Sequence, residues 1–143
     1  FGIPAAMGAC YGAPDRTVCM FCGDGGFQMT IQELGTIMEN QIPVKMILLN
    51  NNYLGNVRQW QYMFFNKRYS FTPMLNPDYE KIAAGYNIPC RTVVEREELD
   101  AAIREMLETD GPYLLQCAVK EEDNVLPMTP PGANVDEMLL EVN

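Results

Sequence analysis

The sequence predicts an α/β protein of the doubly wound kind, with a mainly parallel sheet flanked by helices. Three observations predict it. Short apolar runs alternate with stretches of helical spacing, the order of strand–crossover–strand units. The runs are continuously apolar rather than alternating, as in strands covered on both faces. The first two runs also break off abruptly, one into Gly23-Asp24-Gly25-Gly26 and the other into Asn50-Asn51-Asn52. With 143 residues, 48% of them apolar or aromatic, the chain suits a single domain over 1–143.

Each element has its own signal. Residues 3–13 are rich in Ala and Gly with few polar side chains, which predicts a closely packed, buried helix ended by Pro14-Asp15. Residues 17–22 predict the first strand. Over residues 30–40, Ile31, Leu34, Ile37 and Met38 recur at helical spacing. Pro43 precedes the second strand, residues 44–49. The aromatic, Gln-rich stretch 54–65 predicts a helix, and Pro77-Asp78 opens a short one that runs to about Gly85. Residues 91–94 are a third strand. An amphipathic helix starting at Glu95 or Arg96 turns Leu99, Ile103, Met106 and Leu107 inward and stops at Asp110-Gly111-Pro112. Residues 113–119 are the fourth strand. Beyond Lys120 the chain is irregular through Pro127, Pro130 and Pro131, with a helix expected from Val135. Residues 123–143 are expected to form a flexible tail.

Composition excludes several classes of function. Ten basic against nineteen acidic side chains give a net charge of −9, which disfavours a basic grip on nucleic acid. No apolar run reaches the roughly 18 residues of a membrane span. The N-terminus lacks the basic region of a signal peptide. It also lacks an initiator Met and starts within structured-looking sequence, so the chain is expected to be a piece of a longer protein. Residues 1–75 carry a net +1 and residues 76–143 a net −10. The acidic cluster around Glu95-Arg96-Glu97-Glu98 and Glu105 is expected to be a solvated helix face. Five scattered cysteines argue against a disulfide framework. Cys19 and Cys22 spell C-x-x-C, but on a strand they point to opposite faces, and the chain has no His to complete a zinc site. Reduced, structural cysteines in a cytoplasmic protein are expected.

The strand breaks carry the chemistry. Between Gly25 and Asn50 lie 24 residues, room for one right-handed crossover. A helix of about 12 residues returns roughly 18 Å, and six strand residues advance roughly 20 Å. If the two strands are neighbours, Asp24 and Asn51 face each other at one sheet edge. An Asp carboxylate, an Asn amide oxygen and a main-chain carbonyl are hard ligands suited to Mg²⁺ or Ca²⁺. Gly25 and Gly26 lack Cβ atoms and allow a phosphate to approach their N–H groups, with the positive end of a helix nearby. These features together describe a metal-bridged diphosphate cradle.

G-D-G followed at this spacing by N-N resembles the signature of thiamine-diphosphate enzymes. The resemblance covers essentially the whole chain. Gly2-Ile3-Pro4-Ala5-Ala6-Met7-Gly8-Ala9 resembles the family's G-x-P-A-A-x-G-A helix, and Pro14-Asp15-Arg16-Thr17-Val18 precedes the G-D-G strand as in those enzymes. Gly55-Asn56-Val57-Arg58-Gln59-Trp60-Gln61 and Leu126-Pro127-Met128-Thr129-Pro130-Pro131-Gly132 narrow the likeness to the C-terminal domain of the acetolactate synthase catalytic subunits.

The resemblance implies roles position by position. Asp24 and Asn51 would bind Mg²⁺ through side-chain oxygens and Tyr53 through its carbonyl. Gly25 and Gly26, following Gly23, would donate N–H groups to the diphosphate of thiamine diphosphate, with Gly55 close by. Trp60 would shape the pocket for the second substrate and favour 2-oxobutyrate over pyruvate. The implied reaction decarboxylates pyruvate and joins the two-carbon unit to a second 2-oxo acid, in branched-chain amino-acid synthesis. No residue of this chain fills the catalytic acid–base role, so the chain alone is expected to be inactive. The activating glutamate, an FAD-binding middle domain and the pyrimidine-binding domain would lie elsewhere in the large subunit, a homodimer or tetramer with a possible regulatory small subunit. Asn56 stands where many relatives have Met or Leu, and Gly26 where many have Ser or Ala. Asn52 is expected to be loop filler. The alternatives are another thiamine-diphosphate decarboxylase or carboligase, and a non-catalytic α/β binding module.

Overall fold

Among the residues described by the computed structural model, 1–141, four strands form one all-parallel sheet. They are β1 (Cys19–Gly23), β2 (Lys45–Asn50), β3 (Cys90–Val93) and β4 (Tyr113–Ala118), in the order β1-β2-β4-β3. Val142 and Asn143, the end of the expected tail, lie outside the described residues. The crossover from β1 to its neighbour β2 carries α2 (Asp24–Gln28) and α3 (Glu33–Asn40). These pack with α1 (Gly2–Gly12) and α5 (Tyr79–Gly85) on one face of the sheet, around Ile3, Phe27, Leu34, Met46 and Leu114. From β3 at the edge the chain steps back to β4, so a right-handed crossover must place its helix on the other face. There α6 (Leu99–Glu108) covers Ile47, Val93 and Leu115. The doubly wound class is as the sequence predicts. No helix of the described residues is long and apolar enough to cross a membrane.

Four expectations need correction. The helix expected at 30–40 starts later, as α3 at Glu33, after a turn over residues 29–32, and a separate short helix, α2, precedes it from Asp24 itself. Gly25 and Gly26 are poor helix formers, but burial of Phe27, whose ring meets Tyr79 edge-on at 5.6 Å, overrides local propensity. The first helix is buried on one side only, through Ile3, Ala6 and Cys10. Nor is β1 covered on both faces: Met20 is buried while Phe21 is 69% exposed. It is an edge strand of the described sheet, and α6 packs over the other three, leaving an open apolar groove of about 450 Å³ beside Phe21, Leu49 and Val119. Residues 135–137 form a turn rather than a helix, and Met128 and Leu139 pair in an isolated antiparallel bridge.

One polar cluster ties α6 to the sheet. Glu105 accepts from Arg91 Nη1 of β3 and from the Tyr113 hydroxyl of β4, each at 2.7 Å. The Tyr113 hydroxyl first, and the Arg91 guanidinium second, hold the Glu105 carboxyl below its ordinary value of 4.5. A folded-state value below the unfolded one stabilises the fold above the ordinary value, and acid removes that contribution. Glu105→Gln is therefore expected to melt below the parent protein at pH 7, with the gap closing as the pH falls below the ordinary carboxylate range. Circular-dichroism melts across that range check it; a gap that widens on acidification would contradict the cluster's role.

Candidate functional site

Parallel pairing sets Gly23 opposite Leu49, so the first residue beyond β1 emerges beside the end of β2. That residue is Asp24, 1% exposed. An ionised carboxylate buried this deeply needs hydrogen-bond donors, and it has three. The Gly25 N–H donates to Oδ1 at 3.0 Å, while Oδ2 accepts from the Asn52 N–H at 2.9 Å and from Asn76 Nδ2 at 2.6 Å. Asn52 reaches Asp24 from a left-handed backbone, φ +58°, a region that Asn adopts more readily than most residues. It is thus part of the site and not loop filler. Asn51 Oδ1 accepts from the Tyr53 N–H at 3.2 Å, a local bond that orders the turn after β2.

The sheet edge brings the predicted residues together. Gly23, Asp24, Gly25, Gly26, Asn51, Tyr53 and Gly55 all line one cavity of about 540 Å³. A Cβ on Gly55 would stand 3.1 Å from Asn51 Nδ2, and one on Gly25 would stand 2.9 Å from Leu54 Cδ2, so both glycines permit close packing within the chain. A Cβ on Gly26 would meet nothing within 4 Å; its open side is available to a ligand. The oxygen donors here are a carboxylate, amide oxygens and carbonyls, the set that suits a hard divalent cation, and the bare glycines suit a phosphate. The neighbouring Cys22 thiol is pushed up to about 11, mainly by burial, and stays protonated at neutral pH. All five cysteines are free.

Trp60 is placed next to this cavity rather than in it. Its ring meets Phe64 edge-on at 5.6 Å and lines an adjoining cavity of about 630 Å³. Asn56 and Val57 border both spaces. Trp60 belongs to α4 (Gly55–Phe64), whose other motif residues hold chain segments. The Arg58 guanidinium stacks between the rings of Tyr53 and Tyr69, 4.3 and 4.0 Å from their centroids, and pairs with Glu122. Gln59 is buried and clamps Val125 both ways, donating to its carbonyl at 3.0 Å and accepting from its N–H at 2.9 Å. Gln61 does the same to Ser70, at 3.0 Å each way.

Sequence reasoning missed Asn76, Gln59 and Gln61. Asn76 was hidden as the residue before Pro77, where Pro signals only that a helix is about to start. The glutamines carried no signal, because an amide that clamps a distant backbone looks like any polar helix residue. Removing the Gln59 clamp with Gln59→Ala is expected to speed proteolytic cleavage within 121–128 about tenfold, since local opening controls such cuts. The thermal midpoint should hardly move. An unchanged cleavage rate in a timed digest would show that the clamp does not hold the segment.

Comparison with known proteins agrees with this geometry. The family described as "Thiamine pyrophosphate enzyme, C-terminal TPP binding domain" matches residues 1–117. The acetolactate synthase isozyme 2 large subunit of Escherichia coli K12 is 46% identical over 140 residues, covering 97% of this chain and 26% of that protein. Acetolactate synthase 1, chloroplastic, of Oryza sativa subsp. japonica is 44% identical over 149 residues, covering 99% and 23%. The large subunit from Pyropia yezoensis is 41% identical over 141 residues, covering 97% and 24%. The chain thus spans about a quarter of the length of these relatives. Among solved structures, the thiamine diphosphate-dependent 4-hydroxybenzoylformate decarboxylase of Rhodococcus jostii RHA1 superposes with a TM-score of 0.79 at 28% identity, covering 86% of this chain and 23% of that one. With the family matched over 1–117 and the strand ends arranged as above, this chain belongs to the thiamine pyrophosphate enzymes, as a C-terminal TPP-binding domain.

Proposed function

We propose that the chain is the part of an acetolactate synthase that anchors the diphosphate and its Mg²⁺. One observation carries this reading: two neighbouring strand ends deliver Asp24, Asn51 and Tyr53 to the same cavity as Gly25 and Gly26. Asp24 and Asn51 hold the cation through side-chain oxygens and Tyr53 through its carbonyl. Three protein oxygens leave an octahedral Mg²⁺ open to phosphate and water, its usual mode of binding. The Gly26 N–H would donate to the diphosphate, and that of Gly25 would do so on leaving Asp24 Oδ1, with Gly55 close by, while Trp60 would wall the space for the second 2-oxo acid. When bound, thiamine diphosphate supplies the chemistry that decarboxylates pyruvate and joins the two-carbon unit to pyruvate or 2-oxobutyrate. This chain's residues bind and orient. The acid–base glutamate, an FAD domain, the pyrimidine-binding domain, a homodimeric or tetrameric assembly and a regulatory subunit belong to the remainder of such an enzyme, in the cytoplasm.

Calorimetry tests the anchor. Thiamine diphosphate is expected to bind the full chain only with Mg²⁺ present, and Asp24→Ala should weaken that binding about 100-fold or more, since loss of a ligand costs at least as much as loss of a ligand's hydrogen-bond partner. Equal binding by Asp24→Ala would exclude the ligand assignment. Acceptor choice tests Trp60: in the complete enzyme, Trp60→Leu is expected to lower the ratio of 2-aceto-2-hydroxybutyrate to 2-acetolactate about tenfold, the scale on which an apolar pocket distinguishes a single methylene. A product ratio that stays put would remove Trp60 from the acceptor site.

A further inference from the structure

We infer that Asn76 is a positioning residue that decides which oxygen of Asp24 meets the cation, and thereby favours a small octahedral ion over a larger one. The inference rests on the anchoring role proposed for Asp24.

A carboxylate offers about four lone-pair directions, two on each oxygen. On Oδ2 both are taken, by the Asn52 N–H at 2.9 Å and by Asn76 Nδ2 at 2.6 Å. On Oδ1 only one is taken, by the Gly25 N–H at 3.0 Å. Counting therefore leaves Oδ1 alone to coordinate, and Asp24 can bind a metal only through one oxygen.

Asn76 is itself fixed in orientation. Its Nδ2 points at three oxygens, those of Asp24, Asn50 (2.8 Å) and Asn52 (3.1 Å). Its Oδ1 accepts from Gln28 Nε2 at 2.7 Å and from the Tyr79 hydroxyl at 3.2 Å. Gln28 also donates to the Tyr79 hydroxyl at 3.3 Å, which closes a ring of three side chains from α2, α5 and the segment between. A flipped Asn76 amide would set its oxygen against the Asp24 carboxylate, which can only accept, so the observed orientation is the stable one.

The consequence is ion choice. Mg²⁺ takes single oxygens in a strict octahedron, whereas Ca²⁺ takes six to eight and readily accepts both oxygens of one carboxylate. By saturating Oδ2, Asn76 denies Ca²⁺ the second contact. Asn76→Ala releases that oxygen.

The test titrates thiamine diphosphate into the full chain with either Mg²⁺ or Ca²⁺, for parent and Asn76→Ala. Mg²⁺-supported affinity should fall about tenfold, within the range seen when a partner of a metal ligand is removed. Ca²⁺-supported affinity should fall less, so the Mg²⁺/Ca²⁺ preference drops by about fivefold or more. Gln28→Met and Tyr79→Phe keep Asn76 but loosen it, and should shift the preference the same way by a smaller factor. They decide the matter if Asn76→Ala does not fold. A parallel fall with both ions, or no fall, overturns the positioning role while leaving the anchor intact. A parent chain that binds thiamine diphosphate without any divalent ion overturns the anchor, and the inference with it.

Discussion

A carboxylate that is 1% exposed is the constraint on which this sheet edge depends. Taken out of water, its charge demands compensation by donors. The three it finds come from three separate parts of the chain: Gly25 in the following helix, Asn52 in the turn after β2, and Asn76 ahead of α5. Parallel pairing brings β1 and β2 side by side, but it does not by itself decide how the turns beyond them are folded. Asp24 contributes to that, because the observed arrangement of those turns supplies it with all three hydrogen bonds. The loss of any one donor leaves an unmet acceptor in a buried place, a cost of roughly 1–3 kcal/mol. A tightly ordered cavity wall follows from one side chain's need for partners.

The sheet edge was legible because it is written in local signals. Strand, break, crossover and break can be read from apolar runs and from Gly, Asp and Asn at their ends, and the 24-residue interval fits one crossover between neighbours. What was not legible depends on contacts distant in sequence. Gly25 and Gly26 look hostile to a helix, yet α2 begins at Asp24 because Phe27 is drawn into the core against Tyr79. The apolar character of Cys19 to Cys22 says that both faces tolerate burial; it does not say that Phe21 sits on an edge strand beyond the reach of α6. Asn52 and Asn76 lie 28 and 52 residues from Asp24, too far for any periodicity to register.

The helix after the second strand shows how one short motif serves two ends. Its Arg58, Gln59 and Gln61 hold Tyr53, Tyr69, Glu122, Val125 and Ser70 in place, while Val57 and Trp60 face the cavities. Successive residues of a helix turn by about 100°, so neighbours in the motif necessarily address different surroundings. A glutamine suits the holding positions because its amide both donates and accepts, and so satisfies both groups of one extended residue. Glutamate or lysine could serve only one. A motif identified by its likeness to a family thus contains residues that act on the chain itself as well as residues that face a ligand.

Donor chemistry sets the final limit on what the cavity accepts. The second strand ends in three asparagines and the first leads into an aspartate, so the sheet edge presents neutral amide oxygens around the Asp24 carboxylate; Lys120 and Asp123 also line the cavity and offset each other, which leaves one net negative charge. A softer metal would look for thiolates, and Cys22 stands only two residues before Asp24. Burial pushes that thiol up to about 11, which adds to the cost of deprotonating it for a metal. A site with one formal negative charge binds a bare divalent ion weakly. Its strength therefore depends on charge that arrives with the ligand, and a diphosphate brings that charge. On these grounds the cation and the diphosphate are expected to enter together, each incomplete without the other, which is why the proposed anchor is a site for a metal–diphosphate pair rather than for either alone.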